Sequence, residues 1–447
     1  MPVSPARAAA FDILLRVERE SSYAAELLHS ATYHRLSPAD HALATELVMG
    51  VLRWRSYLDD EIARASSQPL SKLDLEVLTA LRLALYQFCW LDRIPQRAAL
   101  HEGVELVKRA RKRSAAPFVN AVLRKLSNAP GNILSQSSAV NPSPQLLAET
   151  FAHPLWLVER WARDYGLAAA HQICQHNQSI PTTAIRLRSP ESESKIAAQG
   201  MELLPGALLA SARRVETGDI TKAEAFGKGQ VAIQDEASQL VAALVGPGLN
   251  ILDCCAAPGG KTLAIADRNP NAAITAIEIH PHRARLLRRL LRTEASRRIK
   301  IVAADARNLP IAEFFDRILA DVPCSGTGTL GRNPEIKWRL KPEDLTDLHD
   351  RQFAILRSAL AQVAIGGRLI YSTCSLEKEE NEDVVERAIS ETKSFRLVDC
   401  LPELTRLKES GELLGSDPAS LTRGPYLRTI PGVHPCDGFF AAVLKKK

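Results

Sequence analysis

Two cysteines stand where a thiol could act as a nucleophile. Cys324 lies in ILADVPCSGTGTLGRNPEIKWR, three residues after Asp321, and Cys374 lies in LIYSTCSLEKEENE, directly after Thr373. Each closes an apolar run that reads as a strand, and each is followed by a loop rich in Ser or Gly. That places the sulfurs at the rim of a pocket, outside the core. A free cysteine is more often a small buried hydrophobe, and Cys89, Cys174, Cys254 and Cys400 are read that way. A thiolate at a rim can form a covalent intermediate and divide one hard step into easier ones, provided it is ionised when it attacks. A disulfide between the two is a poor expectation for a reducing compartment.

The second chemical element is NILDCCAAPGGKT, Asn250 to Thr262. It reads as a buried strand (Ile251 to Asp253), a small-residue loop (Ala256, Ala257, Pro258, Gly259, Gly260) and a helix opening at Lys261 and Thr262. Backbone N–H groups at such a helix start point outward, and glycines let a ligand approach the main chain. Gly260-Lys261-Thr262 has the tail of a phosphate loop, but that pattern needs Gly where Cys255 stands, and G-x-G-x-x-G is absent. An ordinary strand-to-helix turn remains open, as does a nucleoside ligand without a pyrophosphate, such as S-adenosylmethionine. Glu278 ends the next strand about 25 residues after Asp253, which suits bonding to ribose hydroxyls.

A methyl donor gives the thiols a purpose. Carbon 5 of cytosine is too weak a nucleophile to take a methyl group unaided. A thiolate adding at carbon 6 makes the ring an enamine, and carbon 5 can then react. A carboxyl group beside N3 and the exocyclic amine can hold the ring where charge changes, and Asp321 suits that role.

These residues must be positioned by strands. From Asn250 the chain alternates strand and helix, with strands expected at Asn250–Asp253, Ile274–Ile279, Lys300–Ala303, Arg317–Asp321 and Arg368–Ser372. Such alternation implies a parallel sheet with helices on both faces, and ligands at the carboxyl ends of its strands. Asp253, Glu278, Asp305, Asp321 and Cys374 all fall at or just beyond those ends. A lone Asp there would more often be a helix cap.

Ahead of this, Ser4 to about Leu126 is helical throughout. Ser4-Pro5 and Ser37-Pro38 read as helix starts, the second with Asp40 at the third position. Val77, Leu78, Leu81, Leu85 and Phe88 form an apolar stripe that is read as core. Asn128 to Ser143 has linker composition, and a small α+β module is expected from about 140 to 232. Asp235 to Leu244 should be a helix abutting the last domain.

The chain has 447 residues, net charge +6 and 24% charged residues, enough for two or three ordinary domains. The basic residues cluster at Lys108 to Arg113, at Arg283 to Lys300 and at Lys445 to Lys447, a distribution that suits a polyanionic partner. The start MPVSPARAAAFDILL is not a secretory signal, and no run is apolar for the ~18–20 residues that span a bilayer. Eight cysteines without C-x-x-C pairs argue against zinc, so no metal is expected, and a cytoplasmic location is.

Taken together, AAPGGKT, Glu278, DVPCSGTG, STCS and the terminal GFFAAVL resemble the RNA cytosine-5 methyltransferases over residues 230 to 447. The run ALHEGVELVKRARKRSAAPFVNAVLRKL, through Glu102, Val104, Lys108, Phe118, Val119, Asn120 and Leu123, resembles the closing half of a NusB-type RNA-binding domain. The combination is similar to the bacterial 16S ribosomal RNA (cytosine-5)-methyltransferase B family, also called Fmu or Sun. The resemblance implies a NusB-like helical domain over 1–130, a small α+β RNA-binding module over 140–232, and a Rossmann-like methyltransferase domain over 233–447. It implies S-adenosylmethionine as methyl donor and 16S ribosomal RNA as substrate. Cys255, Ala256, Ala257, Pro258, Gly259, Gly260 and Lys261 would form the cofactor loop. Glu278 would hold the ribose (the family often has Asp there), Asp305 would lie by the adenine, and Asp321 would face both cofactor and base. Cys374 would be the nucleophile and Cys324 would help release the product; this ranking rests on the family alone, because cytosine-5 DNA methyltransferases use the cysteine that follows proline. The run Lys108, Arg109, Arg111, Lys112 and Arg113 would face RNA phosphates, and Arg332 and Lys337 are candidate RNA contacts. A tRNA cytosine-5 methyltransferase and a non-catalytic RNA-binding or antitermination factor with a relic fold are the competing readings. With no apolar stripe left over, a monomer is expected.

Overall fold

The structure, a computed structural model, describes residues 3–447 apart from 21, 31, 34, 129–142, 190, 291–297 and 416. The linker expected over Asn128 to Ser143, its two end residues excepted, and residues 291–297 of the basic run lie outside the described residues. The chain divides into two compact units, one of Met1–Ile180 with Leu330–Arg339, the other of Pro181–Thr329 with Leu340–Lys447.

The first unit is helical: α1 (Pro5–Glu20), α2 (Ala24–Leu28), α3 (Pro38–Arg53), α4 (Arg55–Ala65), α5 (Leu75–Trp90), α6 (Gln96–Arg109), α7 (Ala116–Asn128), α8 (Pro144–Thr150), α9 (Leu155–Tyr165) and α10 (Leu167–Gln178). The apolar stripes make its core. Phe11, Leu14, Leu47, Val51, Val77, Leu81, Leu85 and Phe88 are buried in one cluster, while Leu78 is half-buried. Ser37 caps α3, its hydroxyl accepting from Asp40 N–H at 3.1 Å and donating to the Asp40 carboxylate at 2.7 Å. Ser4 is engaged elsewhere: its hydroxyl donates to Glu102 at 2.8 Å, and Glu102 pairs with Arg7 at 3.0 Å. Of the basic run, Lys108 pairs with Glu105, Arg109 with Asp12 and Lys112 with Asp74.

Residues 330–339 complete this unit by satisfying the end of α3. The last carbonyls of a helix have no intrahelical donor. Trp338 Nε1 donates to the Leu52 carbonyl at 2.6 Å, and Lys337 Nζ donates to the Arg53 and Ala152 carbonyls at 2.8 and 2.7 Å. Glu335 accepts from Ala24 N–H at 2.8 Å. Lys337 is therefore not an RNA contact. Its side chain is buried, and burial pushes its ammonium well below the usual lysine range. Lys337 sits on a helical turn, Ile336–Arg339, that buries it, where an RNA contact would need it exposed. Arg332 is half-buried.

The second unit holds two sheets. Its elements are β1 (Thr183–Leu187), α11 (Glu191–Ala197), β2 (Glu202–Pro205), β3 (Ala212–Thr217), α12 (Glu224–Gly227), β4 (Val231–Ile233), α13 (Glu236–Leu244), β5 (Asn250–Asp253), α14 (Gly260–Arg268), β6 (Ala273–Glu278), α15 (Pro281–Leu290), β7 (Ile299–Ala303), β8 (Phe315–Asp321), α17 (Asp344–Ala361), β9 (Val363–Thr373), α18 (Glu382–Glu391), β10 (Phe395–Val398), α19 (Leu401–Glu409), β11 (Thr422–Arg423), β12 (Tyr426–Arg428) and β13 (Phe440–Lys446); α16 (Ile336–Arg339) is the helical turn already placed in the first unit. The small sheet has the order β2-β3-β1-β4 and is antiparallel. Arg186 on β1 and Arg188 just after it both pair with Asp267 on α14, at 2.7 and 2.6 Å, which ties the small sheet to that helix. The helices expected within 140–232 therefore divide: those to residue 178 join the first unit, and the strands join the second.

The large sheet runs β11-β12-β13-β9-β8-β5-β6-β7, with β10 on β13. The pairs β7/β6, β6/β5, β5/β8 and β8/β9 are parallel, and the terminal GFFAAVL supplies β13, antiparallel to β9. Both faces are covered, so adjacent residues feed opposite cores. Ile251, Leu319, Ile370 and Ala441 pack with α13, and Leu252, Ile318, Leu369 and Ala442 pack with α17. Asp235 caps α13, accepting from Ala237 N–H at 2.9 Å.

Candidate active site

The carboxyl ends of β5, β6, β8 and β9 bring the sequence-predicted residues to one edge. Asp253 ends β5 and is buried. Its carboxylate accepts from Thr262 Oγ1 at 2.7 Å and from Cys255 N–H at 3.4 Å, so it fastens both ends of the Cys254–Lys261 loop. Burial is the main reason its carboxyl is pushed up to about 6; the Thr262 bond works against that rise, and the charge of Asp321 adds to it. Gly259 is needed in this loop: its φ is +114°, and a Cβ there would come within 2.5 Å of Leu287 Cδ1.

Glu278 ends β6 and is buried. One carboxylate oxygen accepts from His280 N–H at 2.9 Å, and among the described residues no protein group bonds the other. That leaves an acceptor for a ribose hydroxyl, so the residues present fit a nucleoside cofactor. Asp305 lies just beyond β7, half-exposed, and is gripped by Arg307. Its carboxylate accepts from the Arg307 backbone N–H at 2.9 Å and from the guanidinium at 2.6 Å, which holds it below the usual range.

Asp321 ends β8 and is shared between two neighbours. One oxygen pairs with Lys261 Nζ at 2.8 Å and the other accepts from Ser372 Oγ at 2.7 Å. Burial disfavours the Lys261 ammonium, but the Asp321 carboxylate outweighs it and raises the lysine pKa; the charge of Cys374 acts in the same direction. The ammonium also lies 4.8 Å from the centre of the Phe439 ring.

The two thiols meet. Cys324 Sγ and Cys374 Sγ are 3.3 Å apart, both half-buried and both free. Cys174, Cys254 and Cys400 are buried, as expected of packing cysteines, and Cys89 is half-buried. The charges around the pair are unequal. Cys374 acts on the Lys261 ammonium, whereas Cys324 feels the Glu380 carboxylate. The bond to Cys374 first, then burial, then the charges of Cys374 and Glu380 push the Cys324 thiol well above its ordinary value. The peptide following it is held close by Gly328, whose N–H donates to the Cys374 carbonyl at 2.9 Å; a Cβ at Gly328 would lie 2.2 Å from the Gly438 carbonyl oxygen.

Sequence reasoning missed Glu380 and Arg428. Both are buried. Arg428 donates to the Ser375 carbonyl at 3.0 Å and pairs with Glu382 at 3.0 Å. Glu380 sits in the charged run EKEENE, whose composition reads as a solvated face; its spacing of six from Cys374 was the available signal.

Comparison with known proteins adds the following. Residues 245–445 match the family model described as 16S rRNA methyltransferase RsmB/F, and residues 4–128 match the NusB family. A relative from Bacillus subtilis (strain 168), named probable ribosomal RNA small subunit methyltransferase B, is 34% identical over 464 residues and covers 100% of both chains. The ribosomal RNA small subunit methyltransferase B of Vibrio cholerae is 32% identical over 429 residues, covering 93% of this chain and 92% of its own. Among solved structures, PH0851 superposes with a TM-score of 0.79 at 24% identity over 100% of both chains. NSun6 from Pyrococcus horikoshii with SFG gives 0.56 at 21% identity, covering 66% of this chain and 98% of its own. At these identities the two structures speak to the fold.

Proposed function

The chain belongs to the ribosomal RNA small subunit methyltransferase B family, and from that premise we propose that it methylates carbon 5 of a cytosine in 16S ribosomal RNA through a covalent bond from Cys374 to carbon 6. The observation that carries this reading is the thiol pair 3.3 Å apart with opposite charge surroundings, beside the Lys261–Asp321 ion pair. The carboxylate of Glu380 disfavours a thiolate at Cys324. This supports the ranking that the motifs alone left to the family.

The Cys255–Lys261 loop and Glu278 would hold S-adenosylmethionine, which would supply an electrophilic methyl group and leave as a neutral thioether. Cys374 forms the Sγ–C6 bond as ring electrons move toward carbon 5. Asp321, oriented by Lys261 and Ser372, holds the ring edge at N3 and the exocyclic amine. Carbon 5 takes the methyl group and still carries its own proton. Bonding of Cys374 to the base removes both the thiolate charge and the hydrogen bond that raise Cys324. Cys324 then releases its own proton to solvent more readily and accepts the proton from carbon 5. The C5–C6 double bond reforms, the Sγ–C6 bond breaks, and Cys374 returns as thiolate. The helical unit and the small sheet would bind the surrounding RNA, and the target base must be unpaired or extruded to enter. The enzyme would work in the cytoplasm as a monomer.

The test is transfer of labelled methyl from S-adenosylmethionine into protein-free 16S RNA and bulk tRNA, with nucleoside identification, for the wild type, Cys374→Ala and Cys324→Ala. The expected result is 5-methylcytidine in 16S RNA, lost in Cys374→Ala, and a covalent RNA adduct accumulating in Cys324→Ala. Label in tRNA alone would overturn the substrate. Absence of label in either RNA, together with no affinity for S-adenosylmethionine, would leave a non-catalytic RNA-binding protein.

A further inference from the structure

Each thiol is followed by a serine, and both serines end on one carboxylate. Glu380 is fully buried. Its Oε1 accepts from Ser325 N–H at 2.7 Å and from Gln352 Nε2 at 2.8 Å. Its Oε2 accepts from the hydroxyls of both Ser325 and Ser375, which lie 3.0 Å from each other. The same Gln352 amide donates to the Pro323 carbonyl at 3.0 Å, on the other side of Cys324. Tyr371 fixes the Glu380 backbone, its hydroxyl donating to the Glu380 carbonyl at 2.6 Å. The Ser375 hydroxyl also accepts from Glu377 N–H at 3.0 Å, so its single proton is committed to the carboxylate.

We propose that Glu380 is a positioning residue for the reaction: it ties the loop carrying Cys324 to the loop carrying Cys374 and sets the separation of the two sulfurs. This deepens the cytosine reading and rests on it, since only a reaction using both thiols on one base needs their spacing fixed. A carboxylate suits the task because four donors converge on it. A carboxylate accepts at both oxygens, whereas an amide accepts at one and presents N–H groups from the other. A glutamine here would confront one set of donors with its own. The side chain lies behind the serines, so it acts through them. Its negative charge also bears on Cys324.

The experiment uses the full chain as Glu380→Gln and as the milder Ser375→Ala, with thermal unfolding as a fold check. Two independent readouts are taken. The first is the pH dependence of iodoacetamide labelling at Cys324 and Cys374, quantified on peptides by mass spectrometry; it needs neither RNA nor turnover. Glu380→Gln is expected to move the Cys324 profile to lower pH. The second separates kcat from KM: kcat on RNA is expected to fall about 10²-fold, the scale of an ångström-level misplacement, while KM for RNA and the cofactor Kd stay within about twofold. A folded Glu380→Gln protein with wild-type kcat and wild-type labelling would overturn the proposal. Should Glu380→Gln fail to fold, Ser375→Ala decides: reduced kcat at unchanged Kd supports the tie, and wild-type kcat overturns it. Should the wild type methylate no RNA, the cytosine reading falls, and the labelling profiles still support or overturn the tie between loops.

Discussion

Asp253 offers a quantitative test of how the Cys254–Lys261 loop is held. It is buried, and its carboxyl is pushed up to about 6 from an ordinary value near 3.8. Below the lower value both the folded and unfolded chains hold the proton. Between the two values only the folded chain does. Above the upper value both are ionised, and the folded chain bears an uncompensated part of the charge. The wild type should therefore lose stability as pH rises from about 4 to about 6, and lose no more from this group above that. A rise of about two pKa units corresponds to about 3 kcal/mol. Asp253→Asn keeps an oxygen that can accept from Thr262 and has no proton to lose. Its stability relative to wild type should rise by about 3 kcal/mol between pH 4 and pH 7, whatever fixed cost the amide itself brings. The assay is urea unfolding followed by hydrogen exchange of β5 and α14 peptides at several pH values. All five tryptophans, at positions 54, 90, 156, 161 and 338, lie in the helical unit, so their fluorescence serves as an internal control for the other unit. A stability difference that stays flat across this range, or that grows in favour of the wild type as pH rises, would refute the argument.

Further outcomes are expected. Lys261→Met removes the cation beside Asp321 and Cys374 and should cost about 10²-fold in methyl transfer, read by initial rates at saturating cofactor. Gly259→Ala forces a side chain into φ +114° and against Leu287, so it should destabilise the loop by about 1–3 kcal/mol and weaken S-adenosylmethionine binding, measured by calorimetry. Lys337→Met leaves the Ala152 carbonyl without its donor and the Arg53 carbonyl with Gln178 alone, and should destabilise the helical unit by about 2 kcal/mol, seen as an earlier tryptophan fluorescence transition. RNA affinity of that variant, measured below its melting temperature, should be unchanged; a loss of affinity with unchanged melting would make Lys337 an RNA contact after all.

Much of the edge carrying the site was legible because strand ends are a local property. Period, β-branched composition and the Pro that follows each (Pro258, Pro281 and Pro323) mark where Asp253, Glu278 and Asp321 stop, and the five expected strands all formed within a few residues of their bounds. The two cysteines were legible as rim thiols for the same reason. Their contact was not, since it depends on β8 and β9 being neighbours in register, Asp321 opposite Ser372, across 51 residues of sequence. Glu380 and Lys337 were misjudged for a shared cause. Charged side chains are usually solvated, and nothing local distinguishes one whose partners are brought from elsewhere in the chain. Arg428 hides likewise behind a short strand near the end of the chain.

The placement of Leu330–Arg339 has a consequence for how the protein is made. The helical unit receives its other residues by Ile180, yet the segment that fills the end of α3 is 150 residues further on, 330 less 180. At synthesis rates of about 5–20 residues per second, the ribosome delivers that segment roughly 8–30 s after residue 180. For that interval the carbonyls of Leu52 and Ala152 lack the donors they have in the finished chain, and that of Arg53 has Gln178 alone. The unit that is translated first is thus completed only after more than half of the second, the loop bearing Cys324 included, has been synthesised.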